Sequence, residues 1–326
     1  MLNKNFAAVD IGTNSFHLII VKVNRDGSLT TLDREKEVIR LGSQKGNESN
    51  HISEEEIERG IRVLKKFKKL AGAYDAQIHA VATSAVREAD NKNDFLKIVL
   101  EKTGIKVEVI DGYKEAEYIY KGVRKALPYN DKRLLCFDIG GGSTEYILGY
   151  NDEIIFGDSI KVGAVRLSKK FFPDCVLTED GIRKCIEYID HSVRSNIKIN
   201  LKENFDLAVG ASGTIMAAAG MINFRRNGKR EKSLMNFIFS KEELEKLIDE
   251  IFEKKTPEER INIDGMEYKR ADIIPAGLLI LQRSFELFNI KDMIISEYAL
   301  REGVVLTMLE KFKINHKSVF NSSTKI

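Results

Sequence analysis

The stretches Val9-Asp-Ile-Gly-Thr-Asn-Ser15 and Phe137-Asp-Ile-Gly-Gly-Gly-Ser143 repeat one pattern, near the start of the chain and near its middle. Each is an apolar run that ends in Asp-Ile-Gly and leads through small polar residues into a second apolar run. This pattern predicts a strand, a tight turn and a second strand. Glycine allows the sharp turn and lets consecutive backbone N–H groups point at an anion. Because two copies are present, we expect a duplicated fold in which the two turns bind a phosphate chain from opposite sides.

The composition is that of a globular protein with two domains of ordinary size. The chain has 326 residues, of which 43% are hydrophobic and 31% charged, and its net charge of +3 is too small to indicate nucleic acid. It contains no apolar run of the ~18–20 residues that span a membrane and no signal-peptide pattern, so we expect a cytoplasmic protein without a membrane partner. Three cysteines and five histidines lack the spacing of a disulfide framework or a zinc site.

Strands alternate with helices after each repeat, which predicts an α/β fold of two similar lobes with a cleft between them. Ligands of such folds bind at the carboxyl ends of strands, where both turns lie. Pro128 marks the predicted boundary between an N-terminal lobe, 1–127, joined by the C-terminal helix at about 303–326, and a C-terminal lobe, 128–302. Helices are predicted to begin after Ser53, Gly163, Thr178 and Ser240, after Gly210-Ala-Ser-Gly-Thr214, and at about Glu297. Further helices are predicted over 93–102, 114–126 and 274–287. Strands are predicted over 77–82, 106–110, 133–138, 206–209 and 292–295.

Several stretches resemble a known group of proteins. The two Asp-Ile-Gly turns and Gly210-Ala-Ser-Gly-Thr214 match loop motifs of the acetate kinase, sugar kinase, Hsp70 and actin superfamily. Four longer stretches resemble one branch, the exopolyphosphatase / guanosine pentaphosphate phosphohydrolase family: Ala8-Val-Asp-Ile-Gly-Thr-Asn-Ser-Phe-His17, Ala82-Thr-Ser-Ala-Val-Arg87, Asp138-Ile-Gly-Gly-Gly-Ser-Thr-Glu145 and Ala299-Leu-Arg-Glu-Gly303. The resemblance runs from about Phe6 to Leu309. It implies two actin-like (ribonuclease H-like) lobes with a phosphate-binding cleft, in a short two-domain form.

Glu115 is the candidate catalytic base. By sequence alone, a glutamate in the first turn of a helix is usually a partner of the helix dipole. The resemblance instead implies catalysis, because the second Glu of the family pattern Gly-x-Glu-Glu-Ala falls on Glu115, while Lys114 replaces the first. A base that aligns water suits the hydrolysis of a terminal phosphoanhydride. Arg87, which follows a strand and small residues, either binds substrate phosphates or forms a structural ion pair.

Carboxylates beside the two turns are the candidate metal ligands. Glu145, seven residues beyond Asp138, is expected to point into the cleft from the second strand of its hairpin. With Asp10 and Asp138 it offers oxygen ligands for Mg²⁺ or Mn²⁺, the alternative being carboxylates paired with lysines. Backbone, amide and hydroxyl donors for phosphate oxygens are predicted at Gly12, Thr13, Asn14, Ser15, Gly140, Gly141, Gly142, Ser143, Thr144, Ser212 and Gly213.

Three further features have less specific interpretations. His17 lies inside an apolar strand, which favours a packed core residue over a ligand. Arg301 and Glu302 open the final helix and are interpreted as hinge or inter-lobe contacts. An exposed loop is predicted for the cations around Asn227-Gly228, either simply solvated or attractive to a polyanion: Arg225, Arg226, Lys229, Arg230 and Lys232.

These features favour an enzyme that releases orthophosphate from the end of inorganic polyphosphate, with guanosine pentaphosphate as the alternative substrate. The cations around Asn227-Gly228 favour a long polyanion, although mildly. Two other classes are an ATP-dependent small-molecule kinase of the same superfamily and a non-catalytic phosphate sensor. Neither nucleic acid nor a membrane is expected as a partner, and a homodimer stays open.

Overall fold

Two β-sheets and the helices packed on them position the residues of interest. The computed structural model describes residues 4–24, 28–41, 50–197 and 205–322, with side chains as far as Phe312. Residues 323–326 of the predicted final helix therefore lie outside the described residues.

The strands of the first sheet are β1 (Lys4–Ile11), β2 (Ser15–Val23), β3 (Leu29–Val38), β4 (Ala76–Ala82) and β5 (Val107–Val109). Those of the second are β6 (Arg133–Ile139), β7 (Thr144–Tyr150), β8 (Glu153–Ile160), β9 (Leu207–Gly210), β10 (Ile238–Ser240) and β11 (Asp292–Ile295). The α-helices are α1 (Glu54–Ala73), α2 (Ser84–Glu88), α3 (Lys92–Thr103), α4 (Gly112–Ala126), α5 (Ala164–Phe171), α6 (Glu179–Asn196), α7 (Gly213–Asn227), α8 (Lys241–Glu253), α9 (Pro257–Arg260), α10 (Ile274–Phe288) and α11 (Leu300–Ser322). Short 3₁₀ turns lie at Pro173–Cys175 and Tyr268–Arg270.

The two sheets repeat one topology. Their strand orders are β3-β2-β1-β4-β5 and β10-β11-β9-β6-β7-β8. Each contains an antiparallel three-stranded meander followed by parallel neighbours, so that β1 and β6 hold equivalent central places. Parallel neighbours require crossover connections, which the helices between them supply. The predicted α/β fold of two similar lobes is therefore confirmed.

Local signals locate most helix boundaries, with exceptions at the start of α11 and the end of α7. Ser53 forms the predicted cap of α1, with a capping box to Glu56. The final helix begins at Leu300, three residues beyond the predicted Glu297. The predicted loop at Arg225 and Arg226 is wrong, because α7 continues to Asn227 and ends only where Gly228 adopts a φ of 69°.

Helices α4 and α11 cross closely at two glycines, each of which lies against the backbone of the opposite segment. A Cβ at Gly122 would overlap the carbonyl of Ala299, and one at Gly303 would overlap the carbonyl of Tyr118. Buried residues of α11, such as Val305, join Phe6 of β1 in one hydrophobic cluster. The final helix therefore packs against the first sheet, while the domain boundary at Pro128 stays a prediction.

Candidate active site

The two Asp-Ile-Gly loops face each other across the cleft. They share one turn geometry, since Gly12 N–H donates to the Ser15 carbonyl at 3.2 Å and Gly140 N–H to the Ser143 carbonyl at 2.9 Å. A Cβ at Gly141 would lie 3.1 Å from the Asn14 nitrogen. Neither loop has a glycine with positive φ. The close approach of the lobes thus accounts for glycine at Gly141 better than turn strain does.

A cavity of about 140 Å³ opens between these loops. Almost all predicted phosphate, metal and catalytic residues line it; only Arg87 and Thr144 do not. The lining residues from that set are Asp10, Gly12, Thr13, Asn14, Ser15, Glu115, Asp138, Gly140, Gly141, Gly142, Ser143, Glu145, Ser212 and Gly213. The fold therefore brings residues from distant parts of the chain to one place.

Strand register assigns the cleft-facing positions in each hairpin. Asp10 of β1 lies opposite His17 of β2, and Asp138 of β6 lies opposite Glu145 of β7. Since each pair is separated by the same seven residues, His17 occupies in the first lobe the place of Glu145 in the second. His17 lines the cavity and lies 2.7 Å, Nε2 to Oγ, from Ser15. The prediction of a packed core histidine is wrong.

Several hydroxyls predicted to bind phosphate are used within the protein. Ser212 caps α7 by accepting from the Ile215 N–H at 3.2 Å. The Thr144 hydroxyl donates to the Val162 carbonyl and does not face the cavity. Asn14 keeps a buried side-chain oxygen, Oδ1, without a hydrogen bond among the described residues. The Thr144 hydroxyl hydrogen is therefore used within the protein, whereas the Ser212 hydroxyl, which accepts, keeps its hydrogen for another acceptor.

Glu115 begins α4 and is held by Arg87. Asp111 caps this helix by accepting from the Lys114 N–H at 2.8 Å, which orients its first turn. One guanidinium nitrogen of Arg87 donates to Glu115 Oε2 at 2.8 Å and to the Ile110 carbonyl at 3.1 Å. Glu115 is 6% exposed. The ion-pair interpretation of Arg87 therefore holds in this structure, and it fixes the carboxylate of the candidate base.

Glu145 is fixed by two serines that share one carboxylate oxygen. Ser143 Oγ donates to Glu145 Oε1 at 2.8 Å, and Ser159 Oγ of β8 donates to the same atom at 2.6 Å. Both hydrogen bonds favour the ionised carboxylate, and they leave Oε2 free of these two contacts. No simple sequence signal marks Ser159, because its contact depends on the pairing of β7 with β8.

Burial raises the pKa of every carboxyl group in this cleft. For Asp10, burial outweighs the opposing charge of Arg301 and, with nearby carboxylates, raises the pKa to about 7. For Asp138, burial and the charge of Glu145 raise the pKa to about 8. The pKa of Glu115 is raised well above its usual range, by burial first and then by Glu145. Protons are thus retained in the cleft to unusually high pH.

The neighbouring wall of the cleft is cationic. Burial lowers the pKa of His17 well below its usual range, and the charges of Arg301, Lys36 and Arg270 lower it further. The imidazole is therefore neutral at neutral pH. Arg301 and Arg270 both line the cavity. Among the described residues, the side chain of Arg301 has no hydrogen-bond or ion-pair partner, which leaves its guanidinium available to an anion.

The model of the Ppx/GppA phosphatase family matches residues 19–312. The chain belongs to this family. A guanosine-5'-triphosphate,3'-diphosphate pyrophosphatase from Photobacterium profundum is 33% identical over 309 residues, which are 94% of this chain but only 60% of that relative. A crystal structure of an exopolyphosphatase from Cytophaga hutchinsonii superposes with a TM-score of 0.86 at 32% identity, covering 94% of this chain and 98% of that one. The Aquifex aeolicus Ppx/GppA structure gives 0.78 at 29%, covering 94% and 98%.

The cleft of this Ppx/GppA family member fits a divalent cation that has few protein ligands. Asp10 Oδ1 is buried and has no hydrogen-bond partner among the described residues, which suits a cation ligand. However, the described part of the chain contains no group of three or more His, Cys, Asp or Glu residues arranged to hold a metal ion. Mg²⁺ commonly binds one or two carboxylates together with water and substrate phosphates. The cleft suits this coordination by few carboxylates with water and substrate, and does not suit a site in which the protein supplies all the ligands.

Sequence reasoning missed the cations of the cleft. The sequence favoured a hinge or inter-lobe contact for Arg301, which lines the cavity. Glu302 instead lies 3.5 Å from Arg34 and accepts from the Ala299 N–H at 3.0 Å. Lys36 and Arg270 carried no motif. The equal spacing of His17 and Glu145 from their aspartates was a signal that could have identified His17.

A first prediction concerns pH. As the base, Glu115 acts only when its carboxyl group is ionised. Because its pKa is raised, the protonated and inactive form persists to higher pH, so kcat/KM should rise with pH into the neutral or alkaline range. Cations compete with protons for carboxylates, so more Mg²⁺ should move this rise to lower pH. Phosphate release across pH at two Mg²⁺ concentrations tests both expectations. A flat profile from about pH 5 to 8 would contradict them.

Proposed function

We propose that this protein hydrolyses the terminal phosphoanhydride bond of inorganic polyphosphate and releases orthophosphate, with Mg²⁺ or Mn²⁺ as cofactor. The observation that carries the proposal is the meeting of two phosphate-type loops, a buried glutamate and cations at one cavity. Transfer of a phosphoryl group to water needs these three elements: an anion cradle, an aligned nucleophile and positive charge.

Each group has a distinct role in the proposed reaction. Backbone N–H groups of the loops hold the terminal phosphate, while Glu115 accepts the proton of the attacking water. Arg87 keeps the Glu115 carboxylate in place through its 2.8 Å contact. Arg301 and Arg270 offset the negative charge of the substrate. Asp10, Asp138 and Glu145 would hold a divalent cation in part, and that cation would supply further positive charge in the cleft.

Guanosine pentaphosphate is the second candidate substrate, because the Photobacterium profundum relative named as its pyrophosphatase is 33% identical. Three of the five cations around Asn227-Gly228 are paired with carboxylates, which weakens the argument for a long polyanion. Arg225 pairs with Glu250 and Arg226 with Glu243, both on α8, while Lys229 lies 3.4 Å from Glu231. Polyphosphate stays first because the exopolyphosphatase structure matches 94% of this chain at a TM-score of 0.86.

Substrate choice is tested by measuring orthophosphate release from polyphosphate, guanosine pentaphosphate and ATP side by side. The proposal expects release from the phosphate-chain substrates with Mg²⁺ and none with a chelator. Faster turnover of guanosine pentaphosphate would put the second candidate first. Phosphoryl transfer from ATP to a small acceptor, without hydrolysis, would favour the kinase alternative. Cytoplasmic location is part of the proposal; no helix in the described residues is long and apolar enough to cross a membrane.

A second prediction concerns the metal. Glu145→Gln should raise the Mg²⁺ concentration for half-maximal rate about 10-fold or more, because it removes a charged oxygen ligand or anchor. Binding of Mn²⁺ followed by electron paramagnetic resonance should weaken in parallel. Glu153→Gln is the matched control, since Glu153 is an exposed carboxylate at the start of β8. Equal metal titrations for all three proteins would show that Glu145 is structural.

A further inference from the structure

One carboxylate contacts two cations: Arg270, which lines the cavity, and Lys36, which lies beside it on β3. Oε2 of Glu267 accepts from Arg270 Nε at 3.1 Å and lies 3.7 Å from Lys36 Nζ. Among the described residues, Glu267 is the only hydrogen-bond partner of the Arg270 guanidinium. This carboxylate occupies the Nε–H of Arg270 and lies beside the ammonium of Lys36, and both donors suit a phosphate group.

The surroundings of the Arg270 guanidinium favour the binding of an anion beside it. Its guanidinium lies so close to Gly213 that a Cβ there would overlap it. Gly213 begins α7, a helix of 15 residues capped by Ser212, so the guanidinium and the positive end of the helix dipole lie side by side. Such an arrangement of like charges is favourable only with an anion nearby. Glu267 is that anion in the structure.

The exposure of the three side chains shows which one can leave. Arg270 is only 8% exposed, whereas Glu267 and Lys36 are 41% and 38% exposed. An exposed carboxylate loses little when it exchanges an ion pair for water, because such pairs contribute little net stability. The buried guanidinium lacks this alternative. A stronger anion should therefore displace Glu267 and leave Arg270 in place.

We propose that Glu267 is a displaceable counter-ion, which occupies Lys36 and Arg270 until an anionic group of the substrate takes its place. The inference rests on the proposed function, because the phosphate chain of the substrate is the displacing anion. Lys36 lies on β3 of the first sheet, whereas Glu267 and Arg270 precede α10 of the second lobe. Displacement thus exchanges one bridge between the lobes for another. By competing with the substrate, Glu267 lowers the affinity of the cleft for anions and leaves the rate of the chemical step unchanged.

Binding of inorganic tripolyphosphate without metal, measured by calorimetry, tests the proposal apart from catalysis. Glu267→Gln should bind about threefold to tenfold more tightly than the natural protein, since both competition and repulsion are lost. Glu267→Ala should show a similar gain. Glu253→Gln, on the exposed side of α8, makes the same change in net charge and should show no gain. Weaker or unchanged binding in both Glu267 variants would overturn the proposal and indicate that Glu267 positions Arg270.

Kinetics provide a second readout. With polyphosphate and Mg²⁺, Glu267→Gln should lower KM about threefold to tenfold and leave kcat within about twofold. A lower kcat at unchanged KM would contradict a counter-ion role. If the natural protein releases no phosphate from any phosphate-chain substrate, the proposed function fails, yet the comparison of tripolyphosphate binding still decides the role of Glu267.

Discussion

Glu115→Gln is expected to lower kcat for phosphate release by roughly 10²–10⁴-fold, while Kd for the substrate stays within about threefold. The amide has nearly the same shape but cannot take the proton of the attacking water. Burial raises the pKa of Glu115, which makes its carboxylate, once ionised, a stronger base than that of an exposed glutamate. Steady-state phosphate release and calorimetric substrate binding measure the two quantities separately.

The matched control is Glu117→Gln, two residues further along the same helix. Glu117 is paired with Lys114 at 2.6 Å on the outside of α4, and its side chain is 39% exposed. The same chemical change at this position should leave kcat nearly unchanged. Activity of Glu115→Gln above about a tenth of the natural rate would exclude Glu115 as the base.

Gly303→Ala is expected to destabilise the fold by about 3 kcal/mol, at the upper end of overpacking changes, because the new methyl group meets a backbone carbonyl. Backbone atoms cannot move aside as a flexible side chain can. The melting temperature should fall by roughly 3–6 °C in a thermal scan, because a chain of 326 residues has a large entropy of unfolding. Since α4 carries Glu115 and α11 carries Arg301, a shift between these helices should also lower kcat.

Gly72→Ala supplies the control for the glycine exchange. Gly72 lies in α1, where a Cβ would have nothing within 4 Å, so alanine should stabilise the protein by up to about 1 kcal/mol. A lower melting temperature for Gly303→Ala together with a higher one for Gly72→Ala would support the close crossing of α4 and α11. A Gly303→Ala protein with an unchanged melting temperature would contradict that crossing.

The fold was largely predictable because its strongest signals are local. Both hairpins follow from an apolar run, a glycine turn and a second apolar run, and Ser53 and Ser240 each form a capping box. Most helix ends were predicted to within one residue, as for α3, α4 and α10. Arg225 and Arg226 are an exception: the sequence favours a loop there, but both lie in α7, which ends only at Asn227, and both pair with α8.

The acidic half of the candidate site was predictable and the cationic half was not. Asp10, Asp138 and Glu145 follow from the repeat, because each lies next to a turn. Lys36 and Arg270 come from an edge strand and from the segment before α10, and only the contact between lobes brings them together. Their distance along the chain leaves no pattern that a single sequence can show.

The central claim is that water attacks the terminal phosphorus of the substrate in this cleft. The most direct test hydrolyses a short polyphosphate in water labelled with heavy oxygen and follows the label by mass spectrometry. The account predicts that each released orthophosphate carries one labelled oxygen from the attacking water and that the shortened chain carries none. Label in the shortened chain, or orthophosphate without label, would contradict it.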